Sequence, residues 1–161
     1  MNKRQKTILI EFGVVIAITA VAVVAMIVLK DWVNRSEAIL AMEELGEKTL
    51  QYRRRNGSAP PQSWVDLQEK KLPGAPRLGQ VQYRGLWIDF QSPADAILAY
   101  SQKNYRSPLV GHGYIVLLLD GRVKWLEKEE FEKLLAQQQS KDELRLIRDQ
   151  YQSDDTGIPP L

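Results

Sequence analysis

From Thr7 to Leu29 the chain runs through twenty-three residues with one charge, Glu11, and no proline. At about 1.5 Å per residue a helix of that length reaches roughly 35 Å, enough to cross the hydrocarbon core of a bilayer with some tilt. A helix buried in a soluble core would carry a polar stripe, and this one carries none beyond its first turns. The segment reads as a membrane span. A secretory signal peptide is the competing reading, and the basic leader Met1-Asn2-Lys3-Arg4-Gln5-Lys6 would suit one. Against it, the apolar stretch is too long, and it gives way to Lys30-Asp31-Trp32-Val33 rather than to a small-residue cleavage site. The helix is expected to be retained.

Flanking charge sets the expected orientation. Lys3, Arg4, Lys6 and the amino terminus precede the span, whereas Lys30 and Arg35 beyond it are offset by Asp31 and Glu37. The positive-inside rule then puts residues 1–6 in the cytoplasm and the soluble part across the membrane. In a bacterial cell that means an inner-membrane protein with a periplasmic or extracellular domain. Trp32, just past the span, suits the headgroup layer. The remaining length suffices for one modest domain. Acidic and basic residues are interleaved through it at a net charge of +2, so no nucleic-acid footprint is visible, and Arg53-Arg54-Arg55 is expected to be a solvated helix end. The absence of cysteine excludes disulfides, thiolate metal ligands and cysteine nucleophiles.

Asp31 to Arg54 continues as an amphipathic helix, with Val33, Leu40, Leu45 and Leu50 expected on its buried face. Asn56-Gly57 suits a left-handed helix end, and Pro60-Pro61 prevents resumption. A short helix is expected around Trp64 to Leu67, with both of those residues inward. Pro73 to Gly79 reads as a connector. Strands broken at Gly85 are expected over Val81 to Phe90, and another at Ile97 to Tyr100. Tyr114 to Leu119 is a continuous apolar run and should be a central strand. Asp120-Gly121 then predicts a type I′ hairpin turn into Arg122 to Leu126, because both turn residues must tolerate positive φ. Val123 and Trp125 should share one face of that second strand. Glu127 to Gln139 is expected to be a helix burying Phe131, Leu134 and Leu135. Beyond Ser140 the pattern stays helical before a frayed tail.

Little in this sequence points to catalysis. The single histidine, His112, lies between two glycines with no second histidine or cysteine to join it. Asp120 is explained by its turn. No phosphate-cradling glycine loop, HExxH or nucleophile elbow is present. No catalytic residue, metal site, cofactor or small-molecule substrate is expected.

Glu11 is the residue that asks for a reason. A carboxylate one turn into an apolar helix is costly, and it either snorkels and pairs with Lys6 or Arg4 or has a task. Its surroundings, Leu9-Ile10-Glu11-Phe12-Gly13-Val14-Val15-Ile16-Ala17-Ile18 behind a basic leader, resemble the start of type IV pilins and type II secretion pseudopilins. Tyr52, the basic residues after it, Asn56-Gly57 and the prolines resemble the end of the pseudopilin helix. The string Leu118-Leu119-Asp120-Gly121-Arg122-Val123 after His112 resembles the carboxy-terminal part of planctomycete-type pilin-like proteins. The resemblance implies that Glu11 attracts an amine of a neighbouring subunit and sets register during assembly. It also makes Lys6-Thr7 the candidate processing site. There the chain departs from the family, which has glycine and phenylalanine at these positions. Without cleavage no free amine forms at Thr7, and Glu11 would pair with a lysine, an arginine or a partner subunit's amine. Gly13, Ala17 and Ala20 offer small surfaces for close helix approach.

The expected architecture is α+β: a long transmembrane and amphipathic helix, a small antiparallel sheet head of pilin-like form, and a C-terminal helix. Its divisions are a leader (1–6), a span (7–29), the helix continuation (30–56), the head (57–139) and a C-terminal helix and tail (140–161). The expected function is a non-enzymatic structural subunit of a type II secretion or type IV pilus-type assembly, with the bilayer and like subunits as partners. A non-polymerising anchored binding module of pilin ancestry is the alternative.

Overall fold

The structure, a computed structural model, describes residues 3–88, 92–107, 109–140, 143 and 145, with the backbone alone at 3 and 6–9. One helix, α1 (Lys3–Asn56), takes fifty-four residues and is roughly 80 Å long at about 1.5 Å per residue. It ends where its sequence dictates. Gly57 adopts φ +72°, its N–H bonds the Arg53 carbonyl at 2.8 Å, and the Asn56 amide bonds back to the Tyr52 carbonyl at 3.0 Å.

The head is built on a four-stranded antiparallel sheet in the order β1 (Gln82–Tyr83), β2 (Ile97–Asn104), β3 (His112–Leu118), β4 (Val123–Glu127). β3 lies between β2 and β4 and buries every residue from Ile115 to Leu118, as its unbroken apolar run predicts. Alternation divides those side chains between two layers. Ile115 and Leu117 join Leu98 and Ala99 against α1, whereas Val116 and Leu118 join Ile97, Leu126 and Phe131 of α4 (Lys128–Gln138). Each large apolar side chain so enclosed contributes roughly 1.5–3 kcal/mol. The sheet is thus the middle of three layers, and the α+β class holds. Leu134 and Leu135 complete the stripe of α4, and Val123 and Trp125 both pack toward α1.

The buried face of α1 differs from the expected one. Ala38, Ala41, Met42, Leu45 and Thr49 are buried, whereas Val33 and Leu40 are exposed and Leu50 is half-buried. Steps of five residues, as from Leu40 to Leu45 to Leu50, turn about 140° around a helix. Those leucines cannot form one stripe. Small residues mark the true face, because they let the sheet come close: a Cβ on Gly46 would lie 2.7 Å from Leu117 Cδ1.

The hairpin has its tip at Asp120-Gly121 but is not type I′. Gly121 takes φ +90°, while no described non-glycine residue has positive φ. Gly121 N–H bonds the Leu118 carbonyl and Leu118 N–H bonds the Arg122 carbonyl, both at 2.9 Å. This closes a three-residue loop with one left-handed glycine, a form that Asp-Gly serves equally well. Asp120 accepts hydrogen bonds from the Arg122 backbone N–H at 3.0 Å and its guanidinium at 2.5 Å.

Smaller departures have similarly local causes. The helix α2 (Gln62–Glu69) buries Val65 rather than Leu67, and Trp64 is half-buried with its ring 4.9 Å from Tyr52. The connector contains one helical turn, α3 (Ala75–Leu78), that buries Leu78. β1 is only two residues, followed by a 3-10 turn at Gly85–Trp87; the rest of the expected strand, residues 89 and 90, lies outside the described residues, as does the tail from 146 onward.

One polar element crosses the head. Arg84, just after β1, donates from Nε and Nη2 to the two carboxylate oxygens of Glu143 at 2.6 and 2.8 Å. It also donates to the carbonyls of Ile97 at 3.0 Å and Gln138 at 3.2 Å. The two side chains are 6% and 2% exposed. Glu143 N–H bonds Ser140 Oγ at 3.1 Å, the first half of a capping box that aims the glutamate inward.

Candidate functional site

The long helix changes character at Asp31. From there to Thr49 its inner face is covered by the head. Before it, every residue from Ile10 to Leu29 except Val28 is exposed. Phe12, Val15, Ile18, Val21, Val24 and Met26 each expose more than half their surface. An eighteen-residue window of this helix has a mean hydropathy of 3.0, and none of it is buried. A continuous apolar cylinder of this length is far beyond what a soluble surface carries. It is long and apolar enough to cross a membrane, which supports a membrane anchor.

The candidate assembly residues all lie on this cylinder, and they do not cluster. At about 100° per residue, Gly13, Ala17 and Ala20 fall within one strip, and Glu11 lies on nearly the opposite side. The strip is open, with nothing within 4 Å of a Cβ built on Gly13. Asp31 comes after Gly13, and Ala38 after Ala20, by about five full turns. The small-residue strip therefore continues into the line that the head covers, while Glu11 points away from it. Lys6 and Thr7 lie within the helical backbone of α1.

Glu11 is exposed, and among the described residues no hydrogen bond or ion pair engages it. Arg4, the expected partner whose side chain is described, makes no ion pair with it. Helical spacing gives the reason. Side chains meet at three or four residues' separation, and those positions around Glu11 are Thr7, Ile8, Val14 and Val15. A cation for Glu11 must come from outside its own helix or from a side chain bent far along it.

The head offers other polar features. His112 is exposed at the start of β3. A shallow cleft where α1 meets the hairpin is lined by Glu43, Glu47, Gly121, Arg122, Val123 and Lys124. Among the described residues no group of three or more acidic or histidine side chains is gathered as a metal would require. Lys103 on β2, which has no distinguishing mark in the sequence, donates to the carbonyls of Arg77 at 2.8 Å and of Leu78 at the end of α3. Burial lowers its pKa to about 8, opposed by the attraction of Glu69. A lysine on a strand gives no sequence signal that it caps a turn twenty-five residues earlier.

These features define a class: an α+β head carried directly on one N-terminal helix able to span a membrane. Comparison with the known protein families, with curated proteins and with solved structures returns no match.

Proposed function

We propose that the chain is a pilin-like or pseudopilin-like structural subunit of a type II secretion or type IV pilus-type assembly, associating through the apolar half of α1. The observation that carries the reading is the pair of unlike features on opposite sides of that half. Glu11 is a charge without a partner among the described residues, and the Gly13, Ala17 and Ala20 strip invites close packing. Two unlike contact sides favour a heterologous contact over an isologous one, and a heterologous contact whose rotation does not close builds an open polymer. The unbroken run of α1 from span to head suits a subunit that is stacked as one piece. In this reading the role is structural and not enzymatic. The N-terminus is cytoplasmic, and the head stands on the periplasmic or extracellular side of the inner membrane, in line with the flanking charges.

The alternative, an anchored binding module that does not polymerise, has the exposed Leu40, Leu67 and Leu86 in its favour. These sit on three separate elements.

Paired-thiol crosslinking in native membranes tests the proposal against a cysteine-free background. Thiols at Val14 and Val24 should give a ladder of oligomers, and Glu11→Ala should abolish it. A crosslink to one other protein would make this a minor or capping subunit. A stably inserted protein with no crosslinks at any spacing would leave the anchored module.

A further inference from the structure

Asp31 stands two residues past Leu29, the end of the apolar run, and so about 3 Å beyond it along the helix. Its carboxylate accepts the Ser107 backbone N–H at 2.8 Å, with both residues buried. Ser107 belongs to the loop joining β2 to β3. That loop's described residues are tied to Ser107: Val110 and Gly111 N–H both bond the Ser107 carbonyl at 3.2 Å, and Leu109 N–H bonds Ser107 Oγ at 3.2 Å. Folded this way, it turns Leu109 outward at 79% exposure. Trp32, next to Asp31, is 60% exposed.

Contacts along α1 fix which end of the head this is. Asp31 meets Ser107, the Arg35 guanidinium lies 4.1 Å over the Trp125 ring, Gly46 faces Leu117, and Leu50 faces Gly121. β3 therefore runs in the same direction as α1, with the β3–β4 hairpin at the far end and the β2–β3 loop beside the anchor. The headgroup layer is roughly 5–7 Å deep on each side of a bilayer. With Leu29 at the edge of the hydrocarbon core, a loop tied about 3 Å farther along the helix lies at headgroup depth.

We propose that the β2–β3 loop is a membrane-contact site, inserting Leu109 into the interfacial layer of the leaflet from which α1 emerges, with Trp32 beside it. The inference rests on reading α1 as a membrane span. The bilayer is the occupant because the site is continuous with the span and because tryptophan favours headgroup depth. Lys30, Arg106 and Lys128 can meet lipid phosphates, while Glu127 at the same end, opposite Gly113 in the sheet, and Glu129 and Glu130 just after it balance them, so no strong preference for anionic lipid is expected. The contact is apolar insertion, and it would hold the head at a set angle to the membrane.

Single-thiol variants Leu109→Cys, Val24→Cys and Ser58→Cys of the full chain, labelled with an environment-sensitive fluorophore, test this in phosphatidylcholine vesicles with and without brominated lipid. Ser58 is exposed and follows the end of α1, whose last residue, Asn56, stands about 37 Å farther along the helix axis than Asp31. The label at 109 should be blue-shifted and lose intensity with brominated lipid, the label at 24 should lose more, and the label at 58 should do neither. Quenching at 24 with a label at 109 that behaves like 58 would overturn the contact while leaving the anchor standing. A blue shift at 109 that ignores brominated lipid would mean that protein, such as a second copy, covers the loop, and overturns it too. A label at 24 untouched by lipid would remove the span itself.

Discussion

Replacing Arg84 by methionine removes one guanidinium and strands three acceptors: the Glu143 carboxylate and the carbonyls of Ile97 and Gln138. The carboxylate dominates the cost, because Glu143 is 2% exposed and would be left as a buried charge with no cation. Breaking a buried pair from one side costs about 3–5 kcal/mol. One escape limits that figure. Glu143 can leave its site for water, and the protein then loses the packing of that side chain instead; whichever loss is smaller is observed. A head of this size has roughly 5–15 kcal/mol to lose, so Arg84→Met should lower the urea midpoint by at least about 1 M, monitored by tryptophan fluorescence of the full chain in micelles. Arg84→Met combined with Glu143→Met should recover most of the loss, since the desolvation of both charges disappears together. A single variant within about 1 kcal/mol of the parent would refute the reasoning. It would mean that Glu143 leaves its site at no cost and that the pair does not anchor it.

Gly46→Leu forces a side chain into the 2.7 Å gap beside Leu117 and should destabilise the head by about 1–3 kcal/mol, read by the same urea titration, with the helical content of the anchor unchanged. For Lys103, the folded pKa of about 8 lies below the ordinary lysine value of 10.5. Between those values the unfolded chain binds more protons, so the contribution of this group to stability rises with pH from about 8 toward 10.5. Lys103→Met should flatten that rise in a pH series of unfolding curves.

The elements legible in the sequence are those whose signal is local. β3 declares itself by an unbroken apolar run, α4 by the spacing of Phe131, Leu134 and Leu135, and the end of α1 by Asn56-Gly57. The face of α1 is not legible, because the eye goes to leucines while close packing selects small residues, Ala41 beside Gly74 of the connector and Gly46 beside Leu117 of the sheet, and closeness depends on what arrives from elsewhere in the chain. The Arg84–Glu143 pair is hidden for the same reason: the partners are fifty-nine residues apart. Its one sequence trace is Ser140-Lys-Asp-Glu143, the spacing of a capping box. At the candidate assembly surface, sequence supplies every residue, and helix geometry adds their arrangement, with Glu11 turned away from the small-residue strip.

The passage of α1 from apolar run to head without interruption has a mechanical consequence. Between Val14 and Asn56 there is no proline and a single glycine, Gly46, which is clamped against Leu117. Kinks arise at proline, at glycine or serine pairs, or where a side chain breaks the backbone ladder, so no joint separates what is gripped in the lipid from what stands outside it. A push along the helix axis at the amino-terminal end moves the hairpin tip by the same distance, and a twist there swings the whole head around that axis. The molecule is a piston with its crown fixed to the rod.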